Sequence, residues 1–155
     1  LVLNSSVNAY RRLDPHFEAP NQIKASGFDR GSMVRIPLGN EKSARIEVRS
    51  VAPDSNPYMS VYTILKTGLE GPLGEEDETK RSRTKFLPDN IYDAIRLFKG
   101  SKFAEGLFGE VVHGKFAELK TNQAERCPKL LGSRVKAGEI HFHHDVTNQY
   151  LWSQF

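Results

Sequence analysis

Two kinds of hydrophobic spacing follow one another along the chain. Residues 1–50 hold short runs in which apolar and polar residues alternate, broken by prolines and glycines, and this pattern predicts strands joined by loops. In the clearest run, residues 43–50, alternation places Ala44, Ile46 and Val48 on one face and charged side chains on the other. Residues 33–36 alternate in the same way and can pair with that run. We therefore expect antiparallel strands with one apolar face.

Helical spacing begins after residue 56. Asn56 suits a helix cap and Pro57 the first helical position, so a helix is predicted from there to Gly68 or Gly71. Its apolar residues fall at three- and four-residue steps: Tyr58, Val61, Tyr62, Leu65 and Leu69.

Two further helices are predicted between residues 88 and 127. Asp89 can cap the first and Gly100 can end it, while the second runs from about Gly109 to Arg126. The apolar stripe of the first contains Ile91, Ala94, Ile95 and Phe98, and the second is expected to turn Val112, Phe116 and Leu119 inward.

The remaining segments carry less pattern. Residues 72–87 are predicted to be a solvated loop, because an acidic and a basic run follow one another there without a large apolar residue between residues 75 and 85. Residues 128–155 are expected to be extended or irregular, and they end in an aromatic cluster. The resulting fold class is α+β, an antiparallel sheet with flanking helices in one domain.

Composition narrows the class of protein. The 155 residues are 38% hydrophobic and 26% charged, and no apolar run approaches the roughly 20 residues that span a bilayer, so no membrane is expected. A net charge of +3 gives no reason to expect nucleic acid as a partner. Cys127 is the only cysteine, which excludes an internal disulfide and fits a reducing, cytoplasmic compartment with an inert thiol. Because the chain starts at Leu1 rather than Met, we expect that it begins inside a longer protein.

The charged face of residues 43–50 allows two interpretations. Arg45, Glu47 and Arg49 could form a solvated surface with cross-strand ion pairs. Four more arginines lie just upstream, however: Arg11, Arg12, Arg30 and Arg35. Arginine's planar fork grips carboxylate and phosphate through two hydrogen bonds, so a convergent group of arginines predicts an anion site that could hold a polyphosphate. A divalent cation would give Glu47 a role there, because magnesium prefers oxygen ligands that bridge to phosphate.

The motifs around these arginines resemble the glutamine synthetase family. Residues 8–20 read NAYRRLDPHFEAP and are similar to its glutamate-binding segment. The resemblance continues in family order through DR at 29–30, VRIP at 34–37, RIEVR at 45–49 and SNPY at 55–58. It is dense over residues 1–71, limited to the helices over 86–126, and loose in the tail. It implies that residues 1–155 are the C-terminal half of a glutamine synthetase catalytic domain.

The resemblance implies roles for individual residues. Arg12 and Arg49 are similar to the residues that grip the carboxylates of substrate glutamate. Glu18 is similar to the loop glutamate that closes the site and helps to take a proton from ammonium. Without the resemblance, Glu18 would be interpreted as an acidic residue on the surface of a loop.

For the nucleotide side, Arg30 is similar to the arginine that stabilises the transferring phosphoryl group. Arg35 and Arg45 match residues that contact ATP phosphates, and Glu47 matches a ligand of the Mg²⁺ or Mn²⁺ that bridges them. The implied substrates are L-glutamate, ammonia and ATP, which form glutamine through a γ-glutamyl phosphate.

The resemblance also implies what is missing. The other metal ligands of the family lie N-terminal to this segment, and neighbouring subunits complete each site. A homo-oligomer is therefore expected. The 155-residue chain alone is expected to be inactive, with an exposed sheet edge and apolar surface.

The sequence also departs from the family pattern at several positions. Asp29 stands where the family has asparagine, which could weaken phosphate binding, and His16 stands where it has glycine. The loop 38–41 is about one residue short. No tyrosine lies between residues 73 and 86, so nucleotidylation control is not expected.

Other hypotheses stay open. A relative could join a larger amine to the same activated glutamate, or the chain could be a non-catalytic phosphate- or nucleotide-binding or regulatory module. His141, His143, His144 and Asp145 could bind zinc or nickel, although a structural or interface role for this tail is the simpler interpretation.

Overall fold

A computed structural model describes residues 1–14, 19–71, 84–126, 137–138 and 141. Within residues 1–126, apart from the gaps just given, a 3-10 helix, Asn8–Leu13, is followed by three strands and four helices. The strands are β1 (Gln22–Ser26), β2 (Ser32–Arg35) and β3 (Glu47–Val48); the helices are α1 (Pro57–Glu70), α2 (Ile91–Lys99), α3 (Lys102–Phe108) and α4 (Glu110–Glu125). The α+β class is confirmed.

The sheet is mixed, so the prediction of an all-antiparallel sheet was wrong. β2 lies between β1 and β3, pairing with β3 antiparallel and with β1 parallel. The parallel pair arises because residues 27–31 fold back along β1, where the Gln22 amide donates to the Gly31 carbonyl oxygen at 2.9 Å. The Ser26 hydroxyl oxygen holds this turn by accepting from the amides of Phe28 and Asp29 at 3.2 and 3.0 Å.

β3 is much shorter than the strand expected over residues 43–50. Residues 40–43 form a turn instead, in which the Asn40 side-chain oxygen accepts from the amides of Lys42 and Ser43 at 3.1 and 3.2 Å. As a result Ile46, expected in the core, is 64% exposed. The predicted pairing of this run with residues 33–36 is confirmed by the β2–β3 register.

Helix α1 begins and ends as the sequence predicts. The Asn56 side chain caps it by accepting from the amides of Tyr58 and Met59, Pro57 occupies its first turn, and Gly71 follows its last residue. Its apolar residues are nevertheless exposed: Tyr58, Val61, Tyr62, Leu65 and Leu69. The uncovered apolar surface expected in the isolated chain was predicted for the sheet, so the exposure of this helix was not predicted.

Helix α2 has the predicted stripe but a different cap. Ile91, Ala94, Ile95 and Phe98 are all buried, as expected. Asn90 rather than Asp89 caps the helix, because the Asn90 side-chain oxygen accepts from the Asp93 amide at 3.0 Å. The Asn90 side-chain amide also donates to the carboxylates of Asp89 and Asp93.

Asn90→Ala should therefore loosen α2. Losing the cap is expected to cost about 1 kcal/mol of helix stability, which raises the opening equilibrium of α2 about fivefold. Hydrogen exchange of α2 amides in the complete protein measures this effect. Asn122→Ala, at an exposed position in α4, is the matched control and should leave the exchange of α2 unchanged; equal α2 exchange in both variants would contradict the assignment of the cap.

Helix α4 buries a face that matches the predicted one only in part. Of the three residues predicted to turn inward, Phe116 is partly buried and packs against the core, whereas Val112 and Leu119 are about half exposed. The buried face contains His113, Ala117, Lys120 and Ala124. Lys120 is tolerated there because its ammonium donates to the Gln123 side-chain oxygen at 2.8 Å and lies 5.4 Å from the Phe116 ring centroid. Burial lowers the pKa of Lys120.

The core joins the N-terminal segment to the helices. Tyr10 and Leu13, on the 3-10 helix, pack with Ile91 and Ile95 of α2 and with Ala124 of α4. Since this packing fixes the 3-10 helix, it also fixes the exposed arginines at its C-terminal end. Among the described residues no helix is both long enough and apolar enough to cross a membrane.

Candidate functional site

The pairing of β2 with β3 joins three of the predicted site residues. Arg35 lies opposite Glu47 in the register. The Arg35 guanidinium donates to one Glu47 carboxylate oxygen at 3.5 Å, and the Arg45 guanidinium donates to the other at 3.3 Å. The Glu47 side chain is 33% exposed, so the carboxylate remains accessible to solvent between its two cationic neighbours.

Hydrogen bonds from side chains to backbone carbonyl oxygens join the other three predicted site arginines, Arg12, Arg30 and Arg49. The Arg12 Nε and Nη2 atoms donate to the Arg49 carbonyl oxygen at 3.3 and 3.1 Å. The Arg49 guanidinium in turn donates through Nη1 to the Arg30 carbonyl oxygen. The 3-10 helix, the 27–31 turn and the segment after β3 are thereby held together.

These contacts shape a cleft of about 350 Å³, which we call the arginine cleft; it is lined by Phe28, Asp29, Arg30, Arg35 and Arg49. Three arginines and one aspartate line it, and this excess of positive charge favours an anionic ligand. A guanidinium can donate two parallel hydrogen bonds to phosphate or carboxylate oxygens, so both groups fit the chemistry of the cleft.

Arg12 lies beside a second, separate cavity. This cavity is about 390 Å³ and is lined by Asn8, Ala9, Arg12, Ala52, Pro53 and Asp54. Arg12 and Arg49 therefore lie near each other without lining the same cavity in this structure, although the Arg12 guanidinium contacts the Arg49 backbone.

Asp29 and Lys24 also belong to this region, although sequence reasoning assigned no role to Lys24 and treated Asp29 only as a departure that could weaken phosphate binding. The Lys24 ammonium lies 2.5 Å from one Asp29 carboxylate oxygen, and the other accepts from the Gly31 amide at 2.8 Å. The Lys24 ammonium, with help from the Gly31 amide, holds the pKa of Asp29 below its usual value. The five-residue separation of Lys24 and Asp29 on either side of a strand end carries no sequence signal for such a contact.

The predicted metal site has one ligand among the described residues. The Glu47 carboxylate offers the oxygen atoms that Mg²⁺ and Mn²⁺ prefer. No group of three or more His, Cys, Asp or Glu residues close enough to hold a metal ion occurs within residues 1–14, 19–71 and 84–126. Glu47 therefore fits a divalent cation as a single ligand that others must complete.

Several predictions fall wholly or partly outside the described residues, among them those for the loop at 72–87 and the tail at 128–155. Glu18 also lies outside the described residues, so its predicted role in closing the site stays a prediction. So do His143 and His144; His141 is described, and its ring lies 5.4 Å from that of Tyr92, centroid to centroid.

Comparison with known proteins agrees with the motifs. A family model described as the glutamine synthetase catalytic domain matches residues 1–133. Glutamine synthetase from Methanococcus voltae is 32% identical over 137 residues, which cover 79% of this chain and 31% of the relative. That from Staphylococcus epidermidis is 34% identical over 77% of this chain and 30% of the relative, and that from Halobacterium salinarum is 34% identical over 79% and 30%.

The region matched in these relatives is less than a third of their length. In this chain, the residues matched by the family model contain the arginine cleft, Glu47 and helices α1 to α4. Because the match to the family model covers most of the chain in one continuous stretch, the chain belongs to the glutamine synthetase family, by its catalytic domain.

Proposed function

We propose that this chain is the C-terminal portion of an ATP-dependent glutamate–ammonia ligase. The observation that carries the proposal is the arginine cleft, in which Arg30, Arg35 and Arg49 surround a space of about 350 Å³. A non-catalytic anion binder explains the three arginines equally well, but it gives no role to the solvent-accessible Glu47 carboxylate beside them.

The first step would be attack by a γ-carboxylate oxygen of glutamate on the terminal phosphorus of ATP. The P–O bond to ADP breaks, and γ-glutamyl phosphate and ADP form. Arg30 is assigned to the charge on the transferring phosphoryl group. Arg35 and Arg45 are assigned to the ATP phosphates; their hydrogen bonds to Glu47, 3.5 and 3.3 Å long and exposed, are weak enough to be exchanged for phosphate contacts.

Glu47 is the residue that would hold a divalent cation. Bound Mg²⁺ or Mn²⁺ would neutralise and orient phosphate oxygens of ATP. The remaining ligands would come from the N-terminal part of the same enzyme, which agrees with the single carboxylate that the described residues supply.

Arg12 and Arg49 are assigned to the carboxylates of glutamate. The Arg12 guanidinium donates to the Arg49 carbonyl oxygen, which holds the two residues next to each other in an exposed position. A guanidinium can grip a carboxylate with two hydrogen bonds, so the pair would fix the amino acid relative to the phosphate side.

In the second step the ammonia nitrogen would attack the acyl carbon, and phosphate would leave with one of the original carboxylate oxygens. Glu18 is assigned to removing a proton from ammonium and to closing the site against water. Water exclusion matters because an acyl phosphate otherwise hydrolyses and wastes one ATP.

The same proposal covers the organisation of the protein. Residues 1–71 would supply the substrate and ATP side, 72–87 a loop, 88–127 the helices and 128–155 a tail within one catalytic domain. The enzyme would be a cytoplasmic homo-oligomer, in which the N-terminal part of the same enzyme or a neighbouring subunit would cover the exposed apolar residues of α1.

An activity comparison tests this proposal. The complete enzyme should release phosphate only when ATP, glutamate and an amine are present together, and ammonium should be the best amine in a series that includes methylamine and a diamine. The 155-residue chain alone should show no turnover. Faster phosphate release with the diamine than with ammonium would show that the acceptor is a larger amine rather than ammonia. Turnover by the 155-residue chain would contradict the claim that its site is incomplete.

A further inference from the structure

Among the residues that the structure describes, Asp29 is the only acidic one that lines the arginine cleft. A carboxylate beside a bound phosphate repels it, and this repulsion is strongest where solvent is partly excluded. The structure nevertheless places the Asp29 side chain in contact with a cation on its other side, the Lys24 ammonium, at 2.5 Å.

The two carboxylate oxygens of Asp29 have separate partners. One accepts from the Gly31 amide at 2.8 Å and so shapes the 27–31 turn. The other contacts Lys24, on β1. The same turn carries Arg30, whose carbonyl oxygen accepts from Arg49. Lys24 does not itself line the cleft, but it contacts the cleft residue Asp29 and can act on the anion site through it.

We propose that Lys24 is a positioning residue that acts through Asp29: it neutralises the one carboxylate of the arginine cleft and thereby sets how tightly the cleft binds polyphosphate. The inference adds a residue to the proposed function, and it rests on that function only because it assumes that this cleft is the phosphate site. Lys24 is the internal counter-ion that lets an aspartate lie next to Arg30 without weakening anion binding.

The charge state of Asp29 makes this neutralisation necessary. Since Lys24 and the Gly31 amide lower the pKa of its carboxyl, Asp29 is ionised at neutral pH. Removing only the lysine would leave a full negative charge in the cleft. The side chains of Lys24 and Asp29 are 42% and 40% exposed, so salt should partly screen the effect.

A double-mutant cycle on the complete protein tests the inference, with inorganic tripolyphosphate as the calorimetric probe. Lys24→Met is expected to weaken binding about fivefold at low salt, and less at 0.5 M salt. Lys24→Arg should bind as the parent does. Asp29→Asn keeps an oxygen for the Gly31 amide and should bind at least as tightly as the parent.

The decisive variant is the double substitution. Lys24→Met combined with Asp29→Asn should return binding to within about twofold of the parent, because neither charge then remains. A purely structural role for Lys24 predicts no such rescue. Lys102→Met breaks a comparable ion pair with Glu105 on α3 and should leave tripolyphosphate binding unchanged.

Three results would overturn the inference. The first is unchanged tripolyphosphate binding by Lys24→Met, and the second is that Lys24→Met weakens binding as much in the Asp29→Asn background as in the parent. The third is that the parent does not bind tripolyphosphate. The last result would also remove the phosphate role of the cleft. Failure of the complete enzyme to make glutamine, with the cycle behaving as expected, would instead overturn only the proposed reaction.

Discussion

Arg30→Ala in the complete enzyme is expected to lower kcat for glutamine formation by about 10³-fold, the lower end of what a transition-state arginine contributes to phosphoryl transfer. Arg30 lines the arginine cleft and its backbone is held by Arg49, so the guanidinium would act from a fixed base. Because the charge on the phosphoryl group spreads mainly in the transition state, the KM for glutamate should change much less than kcat. Steady-state kinetics with ATP and glutamate varied separately measure both quantities.

Two matched variants sharpen this test. Arg30→Lys keeps the charge but not the planar fork, so most of the loss should remain. Arg96→Ala removes an exposed arginine from α2 and should leave kcat within about twofold of the parent. An Arg30→Ala enzyme with a parental kcat would remove Arg30 from the reaction.

Glu47→Gln should lower activity by about 10²–10³-fold and raise the Mn²⁺ concentration needed for half-maximal activity by at least about tenfold. The amide keeps the size of the side chain but removes the charge that a divalent cation requires. It also removes the ion pairs with Arg35 and Arg45, both of which are exposed and contribute little to stability. Activity measured across a Mn²⁺ series separates a weaker metal site from a damaged fold.

Glu118→Gln on the exposed face of α4 is the control for this substitution. It should leave both the maximal activity and the Mn²⁺ requirement as they are in the parent. If Glu47→Gln lowered maximal activity while its Mn²⁺ requirement stayed parental, Glu47 would not be a metal ligand.

Local signals predicted much of the fold. The Asn56–Pro57 start of α1 and the buried stripe of α2 follow from capping and helical spacing, which depend on residues only three or four positions apart. The β2–β3 pairing was also predictable, because two alternating runs lay close together along the chain.

Tertiary packing decided the features that the sequence did not predict. In α4 the small side chains of Ala117 and Ala124 permit close approach to α2, so that face is buried and the larger Val112 and Leu119 remain half exposed. The parallel pairing of β1 with β2 depends on side-chain hydrogen bonds within the 27–31 turn, which alternation of apolar residues cannot reveal.

Part of the candidate site could likewise be predicted from local sequence, whereas another part depends on the folded structure. The arginines could be predicted from their clustering and motif order, and the structure brings Arg30, Arg35 and Arg49 to one cleft. The Lys24–Asp29 pair could not, because a single lysine and a single aspartate five residues apart are common and only the folded turn brings them into contact.

Oxygen transfer tests the central claim most directly. Glutamate labelled with ¹⁸O in its γ-carboxylate, given to the complete enzyme with ATP and ammonium, should yield one ¹⁸O atom in each phosphate released, measured by mass spectrometry. This result is expected because the carboxylate oxygen that attacks ATP leaves with phosphate when ammonia displaces it. Glutamine formed together with phosphate free of ¹⁸O would contradict a γ-glutamyl phosphate and, with it, the account of the arginine cleft as the phosphoryl-transfer side of the site.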